Sequence, residues 1–122
     1  MPRSKVNFDT VRNIGLALPG VEESTAYGAP ALKVYGKLLA CVPTHRSAEP
    51  DSLFVRVDFD ERTELLAADP KIYYVTEHYL GYNGVLVRLS RVNSGILQDL
   101  LGMAYKFTTR KSAPRSPARK RR

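Results

Sequence analysis

The sequence predicts an α+β fold, an antiparallel sheet packed against about three helices. Two observations carry that prediction. Strand-like runs follow one another without the regular βαβ alternation of a parallel sheet. Two of them, residues 53–58 and 85–90, alternate apolar and polar side chains with the period of a half-covered strand. The length of 122 residues suits one domain, because a second core would be too small to hold unaided.

The elements read off in order. Phe8, Val11, Ile14, Gly15 and Leu18 recur at helical spacing; Asn7 or Asp9 can cap the start, and Pro19-Gly20 ends the helix. Residues 24–27 have weak strand character. Residues 31–35 and 38–42 form a hairpin turning at Gly36, and 44–50 reads as a surface loop. After the strand at 53–58, Asp60 caps a helix that runs to Ala68 and stops before Pro70. The short β-rich run 72–75 is separated by Gly81-Tyr82-Asn83-Gly84 from the strand at 85–90. In the last helix Ile96, Leu100, Met103 and Phe107 share one side, with Leu97, Leu101 and Ala104 alongside. The order is α-β-β-β-β-α-β-β-α, with no internal repeat.

Charge divides the chain more sharply than pattern does. There are 19 Lys+Arg against 12 Asp+Glu, a net charge of +7. Residues 110–122 hold seven basic residues, two prolines and no acid, which leaves 12 basic and 12 acidic residues in 1–109. The expected organisation is a folded domain, 1–109, and a disordered basic tail, 110–122, too poor in apolar side chains to offset its chain entropy. No apolar run approaches the roughly 20 residues of a membrane span. The basic N-terminus is followed by Val6-Asn7-Phe8-Asp9, not by the apolar stretch of a signal peptide. A single cysteine excludes an intrachain disulfide and fits a reducing compartment, so the expected location is cytoplasmic.

Several chemistries lack their residues. One Cys and two His, 33 positions apart, supply no metal-ligand cluster. No GxGxxG, GxxxxGK[ST] or GxSxG occurs, so no cofactor is expected. Cys41 and His45 could pair as nucleophile and base, but Cys41 lies in the apolar run 38–42 and reads as an inert core thiol. His78 stands between Glu77 and Tyr79; neighbours in an extended segment point opposite ways, so it reads as a surface or hydrogen-bonded histidine. Glu22-Glu23 read as solvated loop charges. No catalytic residue is assigned, and the expectation is a non-enzymatic protein.

Surface chemistry is better represented. With Leu53, Val55, Val57, Val85, Val87 and Leu89 facing the core, the residues between them, Phe54, Arg56, Asp58, Leu86, Arg88 and Ser90, face outward. Lys33 and Tyr35 likewise oppose Leu32 and Val34. A face carrying Lys33, Arg56 and Arg88 with Tyr35 and Phe54 suits phosphates and stacked bases, and Lys37 and Arg91 are further candidate contacts on the domain. The competing reading is an ordinary solvated sheet face. In the tail, Arg110, Lys111, Arg115, Arg119, Lys120, Arg121 and Arg122 would neutralise phosphates in a salt-sensitive way, or simply solubilise the chain. The tail has no apolar anchor for a membrane surface.

The blocks Ala17-Leu18-Pro19-Gly20-Val21-Glu22-Glu23, Tyr27-Gly28-Ala29-Pro30-Ala31-Leu32-Lys33-Val34 and Gly36-Lys37 resemble the N-terminal half of the MmcQ/YjbR-like family. Ala68-Asp69-Pro70, Tyr74-Val75-Thr76, His78-Tyr79, Gly81-Tyr82 and Val85-Leu86-Val87-Arg88-Leu89 resemble its C-terminal half. The resemblance covers about residues 8–107 and implies a curved antiparallel sheet with helices packed on it. That sheet is likened to the double-wing DNA-binding domain of a phage transcription factor, so the resemblance implies DNA binding by fold-level analogy. It supplies no catalytic residues. Many members carry a tryptophan in the turn where this chain has Asn83-Gly84, so a ligand surface built on that ring would be altered here.

The combined expectation is a DNA-binding protein, RNA being the other polyanion. The alternative is a protein- or small-ligand-binding module with the tail as a non-specific polyanion anchor. That alternative draws on the neutral body and the tyrosines between residues 73 and 82.

Overall fold

Asn7 opens the first helix by a reciprocal pair of bonds. Its side chain accepts from the Thr10 N–H, while the Thr10 hydroxyl accepts from the Asn7 N–H. The computed structural model describes residues 6–110. The tail residues Lys111, Arg115, Arg119, Lys120, Arg121 and Arg122 lie outside them, as does the expectation of disorder there.

The helix α1 (Phe8–Leu16) leads into four strands, β1 (Val21–Ala26), β2 (Ala29–Val34), β3 (Lys37–Cys41) and β4 (Ser52–Arg56). Then follow α2 (Phe59–Ala68), β5 (Tyr73–Tyr74), β6 (Gly84–Arg88) and α3 (Ser94–Thr109). The strands form one six-stranded sheet in the order β1-β2-β3-β4-β6-β5, antiparallel throughout. The α+β class and the element order agree with the expectation.

Turn chemistry explains the first half of the sheet. Tyr27 and Gly28 have φ of 54° and 80°, and Tyr35 and Gly36 have φ of 51° and 81°. Two successive positive φ values make the tight hairpin turn whose twist matches that of the strands it joins. Ala26 therefore pairs with Ala29, and Val34 with Lys37. The weak strand expected at 24–27 is in fact β1, which starts at Val21.

One face of the sheet carries the larger core. Leu32, Val34, Leu39, Leu53, Val55 and Val85 are fully buried there under α1 and α3. Along α3 the buried line is Leu97, Leu100, Leu101, Ala104 and Thr108, so Ile96 and Met103 flank the seam instead of centring it. In α2 the cap is Asp58, whose carboxylate accepts from the Glu61 N–H at 2.8 Å, and not Asp60, which lies inside the first turn. The strand at 85–90 ends at Arg88, and Leu89–Arg91 form a 3-10 turn that keeps Leu89 in the core.

The second face corrects a larger point. Phe54 and Leu86 do alternate away from the main core, but they do not meet solvent. With Ala31, Cys41 and Tyr79 they form a second buried cluster, Leu86 being fully inaccessible. The chain segments before β4 and before β6 fold across this face and cover it. Burying two such side chains contributes about 1.5–3 kcal/mol each, more than solvating a flat polar face would.

Candidate functional site: an aromatic pocket on the second face

The pocket is built by two loops meeting over the Phe54–Leu86 cluster. Beyond β3 the chain is held by the Val42 N–H donating to the Pro30 carbonyl at 3.0 Å. It then reaches His45, whose backbone N–H donates to the Tyr79 hydroxyl at 3.3 Å. Farther along, the Glu49 N–H donates to the Tyr74 hydroxyl at 2.7 Å, and Ser52 Oγ bonds the same hydroxyl at 2.5 Å. Opposite, Glu77–Tyr79 form a 3-10 turn, and Arg62 of α2 donates to the carbonyls of Leu80, Tyr82 and Gly84. One guanidinium thus fixes the backbone of that loop.

At the junction the two histidines stack. The rings of His45 and His78 lie 3.6 Å apart at 6° between planes, with the Tyr79 ring edge-on to both. The Ser47 N–H donates to His45 Nδ1 at 3.1 Å, so that nitrogen carries a lone pair and the proton is on Nε2. Ser47 Oγ lies 2.8 Å from the same Nδ1 and 2.8 Å from Thr76 Oγ1, tying the two loops together. Partial desolvation, with smaller contributions from His78 and Arg46, holds the His45 pKa below its ordinary value.

Between these loops and the sheet is a pocket of about 380 Å³. Its walls include Tyr27, His45, Phe54, His78, Tyr79 and Tyr82, and its floor includes Cys41. Burial raises the Cys41 thiol to about 11 and also raises the Tyr79 phenol, so both remain protonated at neutral pH. Gly84 permits the close packing beneath, since a Cβ there would overlap the Phe54 ring. The pocket therefore offers ring faces and neutral hydrogen-bonding groups. Among the described residues no three His, Cys, Asp or Glu side chains gather as metal ligands.

The sequence-derived cations are dispersed around this feature. Arg56 and Arg88 lie on neighbouring strands but at opposite ends of the ladder, opposite Gly84 and Ser52 respectively. Arg88 pairs with Glu49, donates to the Pro70 and Lys71 carbonyls, and stacks over Tyr74 at 4.3 Å. Arg56 has no ion-pair partner among the described residues, and its guanidinium lies 5.5 Å from the Phe107 ring centroid. Arg110 approaches the same ring at 5.0 Å. Lys33 is half-buried, opposite Glu22 on β1, whereas Lys37 and Arg91 are exposed. Sequence reasoning treated His45 and His78 separately and missed their stack. The only signals for it were aromatic density around residues 73–82 and a histidine in the preceding long loop.

The YjbR family model matches residues 16–107. Uncharacterized proteins of Mycobacterium bovis and two Mycobacterium tuberculosis strains are each 36% identical over 66 residues. Each of those matches covers 51% of this chain and 51% of the relative, so the chain spans about half the length of these curated relatives. The crystal structure of Deinococcus radiodurans protein DR2400, with domain DUF419, superposes with a TM-score of 0.69 at 25% identity. That superposition covers 92% of this chain and 85% of the other. With the family model spanning all six strands, α2 and nearly all of α3, the chain belongs to the YjbR family.

Proposed function

We propose that this YjbR-family chain is a non-enzymatic DNA-binding protein attached chiefly through its basic C-terminal segment. Charge segregation carries the reading: residues 110–122 hold seven basic residues and no acid, while 1–109 balance at 12 and 12. Such a run neutralises phosphates and releases their condensed counterions, which gives affinity without sequence readout.

Support from the folded part is local. The basic run starts at Arg110, whose guanidinium shares the Phe107 ring with Arg56. Two cations and a ring stand where the segment leaves α3. Lys33, Lys37 and Arg91 are secondary contacts. Arg88 adds little, because Glu49 already neutralises it.

The test is a salt titration of binding to a short DNA duplex, comparing the full chain with residues 1–109. Truncation is expected to weaken binding and flatten the log–log salt dependence by up to about six, roughly 0.9 for every phosphate the segment neutralises. An unchanged slope sinks the reading. Equal affinity for RNA of the same length would reduce it to general polyanion attachment.

A further inference from the structure

We infer that the pocket on the second face is a binding site for an uncharged, planar nitrogen heteroaromatic molecule of purine or isoalloxazine size. The site is independent of the DNA reading, since none of its lining residues supplies the charge on which that reading rests.

Size comes first. A volume of about 380 Å³ falls within the range of pockets that enclose small organic ligands. Shape and wall chemistry come next. His45, Phe54, His78, Tyr79 and Tyr82 form a connected set of rings, with successive centroids 3.6 to 6.2 Å apart. Two tyrosines at the rim are left open, Tyr27 at 83% exposure and Tyr82 at 49%. Flat ligands recover the stacking surface that these rings otherwise present to water.

Charge then narrows the class. No Lys, Arg, Asp or Glu lines the pocket. A phosphate or carboxylate entering it would shed hydration and meet no cation. Polarity narrows it once more. His45 is held by Ser47 with its proton on Nε2, and that N–H has no partner among the described residues. Together with the protonated Tyr79 hydroxyl it presents neutral donors, which suit a ring nitrogen or carbonyl acceptor. Because the His45 ring is fixed by Ser47, His78 and Tyr79, little ordering is left to the moment of binding.

The experiment is an NMR titration of the full chain with caffeine, adenosine and lumichrome, read at the His45, His78 and Tyr82 ring resonances. Adenosine monophosphate is the charged comparison. At least one neutral probe is expected to produce saturable shifts, with the monophosphate weaker than adenosine. His78→Ala and Tyr27→Ala, both at exposed side chains, are each expected to weaken binding by about three- to tenfold, the scale of one aromatic contact. The inference is overturned if no neutral probe saturates, if the monophosphate binds as tightly as adenosine, or if both variants bind like the parent.

Discussion

Arg88 and Glu49 meet through two parallel hydrogen bonds of 2.8 Å, Nε to Oε1 and a terminal nitrogen to Oε2. The pair joins the end of β6 to the loop that precedes β4. The same guanidinium also donates to two backbone carbonyls and covers the Tyr74 ring, so it holds three chain segments at once.

Arg88→Ala is therefore expected to cost about 2 kcal/mol, since it removes the ion pair, two carbonyl bonds and the cover over the Tyr74 ring together. Glu49→Gln should cost clearly less than Arg88→Ala, because the pair is partly exposed and screened by water. Urea denaturation of both variants decides it. Equal losses would mean the ion pair, and not the carbonyl bonds, is what matters.

The Gly84→Ala substitution forces a methyl into the Phe54 ring. The expected loss is about 1–3 kcal/mol, as for other overpacked sites. Combining it with Phe54→Leu should recover part of that loss, visible as non-additive denaturation midpoints. Simple additivity would show that the ring is not the obstacle.

His45 is expected to titrate below its ordinary value of 6.5, because desolvation, His78 and Arg46 all disfavour its charged form. The unfolded chain then takes up the proton first. The contribution of neutral His45 to stability is complete above about 6.5 and is lost as the pH falls through the folded value. An NMR titration of the imidazole resonances measures this directly. A His45 midpoint at or above 6.5 contradicts the stacked, Ser47-bonded ring.

Cys41 should resist thiol reagents in the folded protein. The residue is 5% exposed and burial raises its thiol to about 11, so almost none is thiolate at about pH 8. A disulfide reagent should label it only on unfolding, at the rate set by denaturant. Rapid labelling of the native chain would show that the pocket floor opens.

What could be read in the sequence was what depends on near neighbours. Period-two alternation identified Leu53, Val55 and Val57 as core, and all three are fully buried. The same alternation names two faces without saying whether the second is covered. Phe54 and Leu86 were therefore misplaced, because the covering loops come from residues distant in sequence. β1 was faint because only Val21 of its six residues is buried. Its turn was legible in principle, since Tyr-Gly occurs at 27–28 and again at 35–36. The Arg88–Glu49 pair spans 39 positions and the His45–His78 stack spans 33, and neither leaves a local pattern.

The strand order has a consequence for how copies of this chain behave when crowded. A sheet ends in two rows of unpaired backbone groups, each able to template another sheet. Here β5 closes one side with only Tyr73 and Tyr74, too short to recruit a stable partner. On the other side β1 carries the exposed carboxylates Glu22 and Glu23, the latter ion-paired with Arg12, and a charged edge of this kind disfavours pairing with a second sheet. Molecules brought side by side at high concentration would meet without fusing their sheets into aggregates.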